Sequence, residues 1–297
     1  MPSILMFGAT GQVARCILDR SAGGAQDVTA LSRSDVDLAD ADAIASAIAA
    51  APNDSVVVNA AAYTAVDQAE ADQVAAAAIN AEAPATMARA CAAHGLAFIH
   101  ISTDYVFDGN KSSPYSVGDP TDPQGVYGRT KRDGEIGVLE ALPQAVILRT
   151  AWVYSPYGKN FVKTMLRVGA ERDELGVVDD QVGCPTSAHD IADAILAVID
   201  HLPLREEQGG IYHIAGTGEA SWADLAEAVF ALAEDRMGRR PCVNRITSEA
   251  YPTPAKRPAN SRLDSSRFAA DFGYRTPEWR DSLERVLDVL LPAEVSA

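Results

Sequence analysis

Ile4-Leu5-Met6-Phe7-Gly8-Ala9-Thr10-Gly11-Gln12-Val13-Ala14 is the stretch that decides the fold. Four consecutive apolar residues predict a strand covered on both faces, because a half-exposed strand would alternate apolar and polar residues. The glycines that follow let the backbone turn tightly into a helix and come close to a bound anion, and the free amides at that helix start favour negative charge. In isolation, a G-x-x-G pair is equally an ordinary tight turn. Placed between a strand and a helix, it marks Gly8, Gly11, Gln12 and Val13 as a pyrophosphate site.

Outward from this turn, apolar β-prone runs recur at Val28–Leu31, Val56–Val58, Phe98–Ile101 and Val146–Leu148. Alanine-rich helical stretches, Ala41–Ala51 and Asn80–Ala93, lie between them. That alternation predicts βαβ units and an α/β fold, a doubly wound parallel sheet of the Rossmann type over residues 1–150. After Arg149 the rhythm loosens. Loops at 155–160, 183–187 and 251–260 separate the helices Ile191–Leu202 and Trp222–Ala233. Residues 151–297 are therefore expected to form a smaller, mainly substrate-binding region, some of whose segments return to the sheet.

The 297 residues are 47% hydrophobic and 22% charged, the composition of a folded globular protein. A net charge of −16 argues against nucleic acid and anionic membranes as partners, since both select basic surfaces. Cys16, Cys91, Cys184 and Cys242 are far apart in the chain, which reads as reduced thiols and not as a disulfide framework or a zinc site. No basic segment precedes the first apolar run, and no apolar run approaches the roughly 18 residues of a membrane span, so a cytoplasmic location is expected.

The chemistry is concentrated in Ser102-Thr103-Asp104-Tyr105 and Tyr127-Gly128-Arg129-Thr130-Lys131. Tyr127 and Lys131 are four apart, so on a helix they share a face, and a neighbouring ammonium is expected to lower the phenol pKa and make Tyr127 a general acid. The Thr103 hydroxyl, at the carboxyl end of a central strand, is placed to hold a ketone oxygen while hydride arrives, with Asp104 orienting the cluster. An amphipathic helix with a half-buried tyrosine is the plainer alternative for YxxxK alone. After the second strand, where an acidic residue would take an NAD ribose, stand Ser32 and Arg33. An arginine there pairs with a 2′-phosphate and favours NADPH, with NADH still possible; the alternative is a solvated arginine. Asp37 and Leu38 are read as a helical turn near the adenine, and Ala60, Ala61 and Ala62 as small residues that leave room for the cofactor.

Together these residues resemble the dTDP-4-dehydrorhamnose reductase family of extended short-chain dehydrogenases/reductases, nearly end to end. The likeness lies in FGATGQVA at 7–14, VNAAAYTAVDQAE at 58–70, STDYVFDG at 102–109 and VYGRTK at 126–131. It continues through LRTAWVYSPYGKNFVKTML at 148–166, DDQVGCPTSAHDIAD at 179–193 and YPTPAKRPANSRLD at 251–264. The resemblance implies Thr103, Tyr127 and Lys131 as the catalytic trio, Lys131 also holding the cofactor ribose, and adds Tyr63 to the cofactor shell. It implies NADPH-dependent reduction of the C4 ketone of dTDP-4-dehydro-6-deoxy-L-mannose. A different dTDP-hexose 4-ketoreductase, or a noncatalytic regulatory subunit on the same fold, are the alternatives.

Substrate contacts are expected from Ser102, Thr103, Asp104, Tyr105, Trp152, Asn160, Lys163, Gln181, Arg257 and Asn260, with the ring faces of Trp152 and Tyr154 against the deoxysugar. Some members of the family are dimers bridged by magnesium through carboxylates. Here Cys16 and His189 stand where glutamates are expected, so the resemblance implies no bridging metal and a monomer or weak metal-independent dimer.

Overall fold

The strand β1 (Ile4–Phe7) is buried along its whole length, as its unbroken apolar run requires. The computed structural model describes residues 2–24 and 26–292. Parallel to β1 run β2 (Val28–Leu31), β3 (Val56–Asn59), β4 (Ala97–Thr103) and β5 (Val146–Thr150). A strand from the C-terminal half, Gly210–His213, pairs parallel with β5 and closes that edge. With β5 preceding β4, β3, β1 and β2, the six-stranded order reverses direction beside β1, the switch point at which doubly wound sheets bind ligands. β4 and β5 run past the apolar runs that announced them. Ser102 and Thr103 pair with Arg149 and Thr150, so buried polar residues continue the ladder.

Helices cover both faces. α1 (Gln12–Ser21) follows the glycine turn, and α2 (Ala41–Ala49) is capped by the Asp40 carboxylate, which accepts from the Asp42 and Ala43 amides. Asp37 lies before this cap in a turn, so the helix begins at Ala41 and not at Asp37. Two short pieces, α3 (Val66–Ala69) and α4 (Gln73–Ala77), lead through a π-helical turn at Ala78–Glu82 into α5 (Ala83–His94) and then α6 (Val126–Ala141). The helix expected from Asn80 thus opens as a wider turn, a distortion frequent at functional sites.

The remaining helices are α7 (Phe161–Glu171), α8 (Ala188–Asp200), α9 (Trp222–Met237), α10 (Ser266–Phe272) and α11 (Trp279–Leu290). α8 begins three residues before the expected Ile191 because the Ser187 hydroxyl caps it. α9 outlasts its expected end at Ala233. A Ser221–Asp224 capping box opens it and Gly238, at φ 66°, stops it. α8 packs on α1 and belongs to the sheet's own core, whereas α7, α9 and α11 build a separate core around Val162, Phe230 and Trp279. No helix among the described residues is long and apolar enough to cross a membrane.

Candidate active site

The glycine turn is built for close approach. Gly8 has φ 109°, and a Cβ there would meet the Ala60 carbonyl carbon and Ala61 nitrogen at 2.9 Å. Any other residue would push the loop after β3 away from the turn. Gly8 and Ala9 donate to the Leu31 carbonyl, which holds the end of β2 beside the turn. No side chain caps α1 at Gly11, and no acidic residue lies in its first turn. Its leading amides and positive dipole end are thereby left for an anion. Arg33 follows β2 in a turn, exposed and without an ion pair among the described residues, while Ser32 is held by Asp35. Leu38 packs against the core cluster that includes Phe7 and Ile44.

Behind the turn, the loop Ala60–Tyr63 is held by two buried amides that sequence reading missed. The Asn59 Oδ1 accepts from the Ala61 amide at 3.1 Å, and the Asn80 Oδ1 from the Tyr63 amide at 2.8 Å. Asn80 also donates to the Tyr63 carbonyl and to the Thr130 hydroxyl, joining this loop to α6. The Val126 amide, at the start of α6, donates to Glu70 at 2.8 Å. Nothing in local periodicity marks Asn80 and Glu70, because they act across 17 to 56 positions of chain.

Thr103 ends β4 and Tyr127 lies in the first turn of α6, which presses on the turn after β4 so closely that a Cβ on Gly128 would sit 2.1 Å from the Tyr105 carbonyl oxygen. That contact brings Tyr127 beside Thr103, with the Tyr105 ring edge-on to Tyr127 at 5.5 Å between centroids. The Thr103 hydroxyl donates to Asp104 Oδ1 at 3.0 Å and accepts from the Tyr105 amide at 3.2 Å. Asp104 Oδ2 is buried and has no partner among the described residues. Burial lifts the Asp104 carboxyl to about 6, opposed by the Ser261 and Thr103 hydroxyls.

The expected lowering of the Tyr127 pKa is not what the geometry gives. Burial pushes the phenol up to about 12, with only the Thr103 hydroxyl pulling it back. Lys131 shares the helical face of Tyr127, but its Nζ donates to the Ile101 carbonyl at 2.6 Å and lies 3.2 Å from His100 Nε2. Asn59 explains the other side of that histidine. Its Oδ1 is committed to Ala61, so its Nδ2 faces His100 Nδ1 at 3.1 Å. Burial and the Lys131 charge hold His100 neutral, and burial brings Lys131 down to about 8 against the opposing pull of Glu135.

Ser102 faces away from this cluster. Its hydroxyl donates at 2.5 Å to Glu135, which forms a buried pair with Arg149 at 2.7 Å. The buried carboxylate thus has paired and hydrogen-bonded partners, as burial demands.

Most of the other residues expected to meet a sugar already serve the scaffold. Asn160 caps α7 through Oδ1, and its Nδ2 donates to Gln12 at 2.9 Å and to the Ser155 carbonyl at 2.8 Å. Lys163 Nζ donates to the Pro156 carbonyl. Gln181 bridges Ser248 and the Trp222 indole. Asn260 is buried, donating to the Lys111 and Ser113 carbonyls. Arg257 pairs with Asp67 at 2.9 Å and Lys256 reaches Gln124. Tyr154 is in the core, 1% exposed, its hydroxyl on the Trp279 carbonyl, and offers no ring face to a ligand. Trp152, by contrast, is partly exposed. It is held at φ 49°, a strained conformation for a non-glycine residue, and stacks on Trp222 at 3.5 Å and 7°.

A doubly wound sheet with an uncapped helix after its glycine turn, and with threonine, tyrosine and lysine in order along β4 and α6, defines an extended short-chain dehydrogenase/reductase. The family described as RmlD substrate binding domain matches residues 2–291. A dTDP-4-dehydrorhamnose reductase of Sinorhizobium fredii is 46% identical to this chain, covering 97% of each. A Streptomyces antibioticus protein named "Probable dTDP-4,6-dihydroxy-2-methyloxan-3-one 4-ketoreductase" is 43% identical over 98% of this chain and 96% of its own. The solved dTDP-4-dehydrorhamnose reductase of Bacillus anthracis, in complex with NADP, is 32% identical with a TM-score of 0.89, over 97% of this chain and 99% of that one. The chain belongs to the dTDP-4-dehydrorhamnose reductase family of oxidoreductases.

Proposed function

We propose that this protein reduces the C4 ketone of dTDP-4-dehydro-6-deoxy-L-mannose to the alcohol of dTDP-L-rhamnose, using NADPH. The observation that carries the reading is the meeting of the Thr103 and Tyr127 hydroxyls at the carboxyl end of β4, in the same sheet edge as an uncapped helix start. The residues fit the cofactor: the α1 start has no side-chain cap and no acidic residue in its first turn, and Arg33 has no ion-pair partner among the described residues. Gly8, Gly11, Gln12 and Val13 would hold the pyrophosphate and Arg33 the 2′-phosphate. Ala60, Ala61, Ala62 and Tyr63 would line the passage toward Tyr127, and Lys131 would hold the ribose. When bound, the nicotinamide supplies hydride.

Tyr127 does the proton chemistry. Burial holds the phenol protonated through the neutral range, so that it would deliver its proton to the oxygen as negative charge develops there. Thr103 turns its O–H from Asp104 to that oxygen and holds it. Trp152, held between Trp222 and Gly183, offers the exposed edge of its indole to the 6-deoxy carbon. A second reading, reduction of another dTDP-linked ketohexose, is supported by the 43% identity to the Streptomyces antibioticus protein. Incubation with NADPH and dTDP-4-dehydro-L-rhamnose, followed by NMR of the product, tests both. Formation of dTDP-L-rhamnose is expected; the C4 epimer would favour the second reading, and no turnover would overturn the first.

A further inference from the structure

Lys131 is buried, and its place depends on neighbours outside the catalytic trio. Its Nζ donates to the Ile101 carbonyl at 2.6 Å and lies 3.2 Å from His100 Nε2. These two residues are consecutive on β4, so one strand meets the Nζ twice, through the main chain of Ile101 and the side chain of His100. A tetrahedral amine nitrogen has three directions besides its bond to carbon. Two fixed by these contacts leave one, whichever nitrogen supplies the proton between Lys131 and His100. The Ile101 carbonyl alone would leave the amine free to turn about that contact.

His100 is itself held. Its ring is wholly buried, stacks on Phe98 at 6.2 Å between centroids, and turns Nδ1 to Asn59 Nδ2 at 3.1 Å. Asn59 ends β3 and stands in register with His100 across the β3–β4 pair, so strand pairing sets that contact. The Asn59 Oδ1 accepts from the Ala61 amide at 3.1 Å. One run of contacts therefore joins the loop after β3 to the Lys131 amine through two buried side chains. Phe98, two residues away on the same face of β4, shows that the sheet accepts an apolar ring there. An imidazole at position 100 costs desolvation that an apolar residue would avoid, so its polar contacts and not its volume distinguish it.

We infer that His100, held by Asn59, is a positioning residue for the reduction: it fixes the Lys131 amine so that its one remaining direction is left for the cofactor ribose, which rests on the reading of Lys131 proposed above. Its effect passes through Lys131, and no proton or hydride is assigned to the ring. The same contacts tie the amine to Ala61, in the loop proposed to line the cofactor passage. Loop and lysine are thereby set by one assembly, and disturbing either side chain between them should displace both.

Two conservative variants of the full chain separate the two contacts of the ring. An asparagine amide replaces Nδ1 and loses Lys131, whereas a glutamine amide reaches the place of Nε2 and keeps it. A catalytic group displaced by about 1 Å can cost about 10²-fold, so His100→Asn should lower kcat by roughly 10–100-fold, and His100→Gln should recover most of that loss. NADPH affinity, read by fluorescence titration, should weaken about tenfold in His100→Asn, the scale of one charge-assisted hydrogen bond. Adding Asn59→Ala to His100→Asn should cost little more than either alone, because both break one run of contacts. Thermal melts supply the comparison: a ring that only fills the core would lower Tm in these variants and leave kcat per folded molecule and NADPH affinity unchanged. Titration with NADPH needs no sugar, so an unmodified chain that fails to turn over dTDP-4-dehydro-L-rhamnose would sink the substrate reading while the affinity series still decides the role of His100. If His100→Asn does not fold, Asn59→Ala takes its place beside His100→Gln, with the same loss of NADPH affinity expected. Unchanged NADPH affinity, no recovery by glutamine, or additive losses in the double variant would each overturn the role given to His100.

Discussion

The two sides of the site differ in what their polar groups have left to offer. Around the glycine turn, the α1 start has no side-chain cap and Arg33 has no ion-pair partner among the described residues, so donors face outward. Among the residues expected to meet the sugar, by contrast, Asn160, Lys163, Gln181, Asn260 and Arg257 all have partners within the protein. A pyrophosphate is recognised mainly by backbone amides, which a turn presents without any side-chain help. A sugar nucleotide is recognised by side chains, and those must first be positioned by a scaffold. The difference teaches that residue type alone overstates how many polar side chains are available to a ligand: Asn160 looks like a hydroxyl donor in sequence and acts as a helix cap in the fold.

The sharpest way to test the first side is Tyr127→Phe. General-acid help contributes about 10²–10⁴-fold, so turnover should fall on that scale while NADPH affinity, measured by fluorescence titration, changes little. Near-normal turnover would remove Tyr127 from the mechanism and leave the catalytic side with no advantage over the other.

Arg33→Ala probes the same side at its unpaired cation. A charge-assisted contact is worth about 1.5–3 kcal/mol, so NADPH binding should weaken by roughly one to two orders of magnitude, with NADH binding nearly unchanged. Equal losses for both cofactors would mean that Arg33 meets no 2′-phosphate.

The paired side is tested by setting Arg257→Ala beside Asp67→Ala. An exposed ion pair contributes about 0–1 kcal/mol to stability, so the pair by itself makes both variants nearly silent. If Arg257 also reaches the diphosphate, Arg257→Ala alone should lower kcat/KM for the dTDP-sugar by about tenfold or more, leaving NADPH affinity unchanged. Equal, small effects of the two substitutions would assign Arg257 to the scaffold and sharpen the contrast between the two sides.

A further expected effect is on pH dependence. Burial raises Asp104 from 3.8 to about 6, so between these values the folded protein binds more protons than the unfolded chain. The stability that Asp104 contributes is therefore full below pH 3.8 and is lost as pH rises through 6. Asp104→Asn should flatten this part of the stability profile in urea unfolding at a series of pH values. An unchanged slope would mean that Asp104 is ionised in the fold at acid pH, in the manner of an exposed carboxylate.

Much of this was legible in the chain. Consecutive apolar runs such as Ile4–Phe7 determine buried parallel strands because only a strand covered on both faces tolerates no polar alternate. Gly8 and Gly11 between strand and helix determine the anion turn, and the four-residue spacing of Tyr127 and Lys131 puts both on one helical face. Tertiary structure alone decided which groups those side chains meet. It turned Lys131 toward Ile101 and His100 instead of the Tyr127 phenol, raised the phenol's pKa by burial, and placed Tyr154 in the core. It joined Asn80 to Tyr63 across 17 positions of chain and Glu70 to Val126 across 56. Periodicity reports the face a residue occupies, through local backbone geometry, whereas hydrogen-bond partners and desolvation depend on elements distant in sequence that packing alone brings into contact.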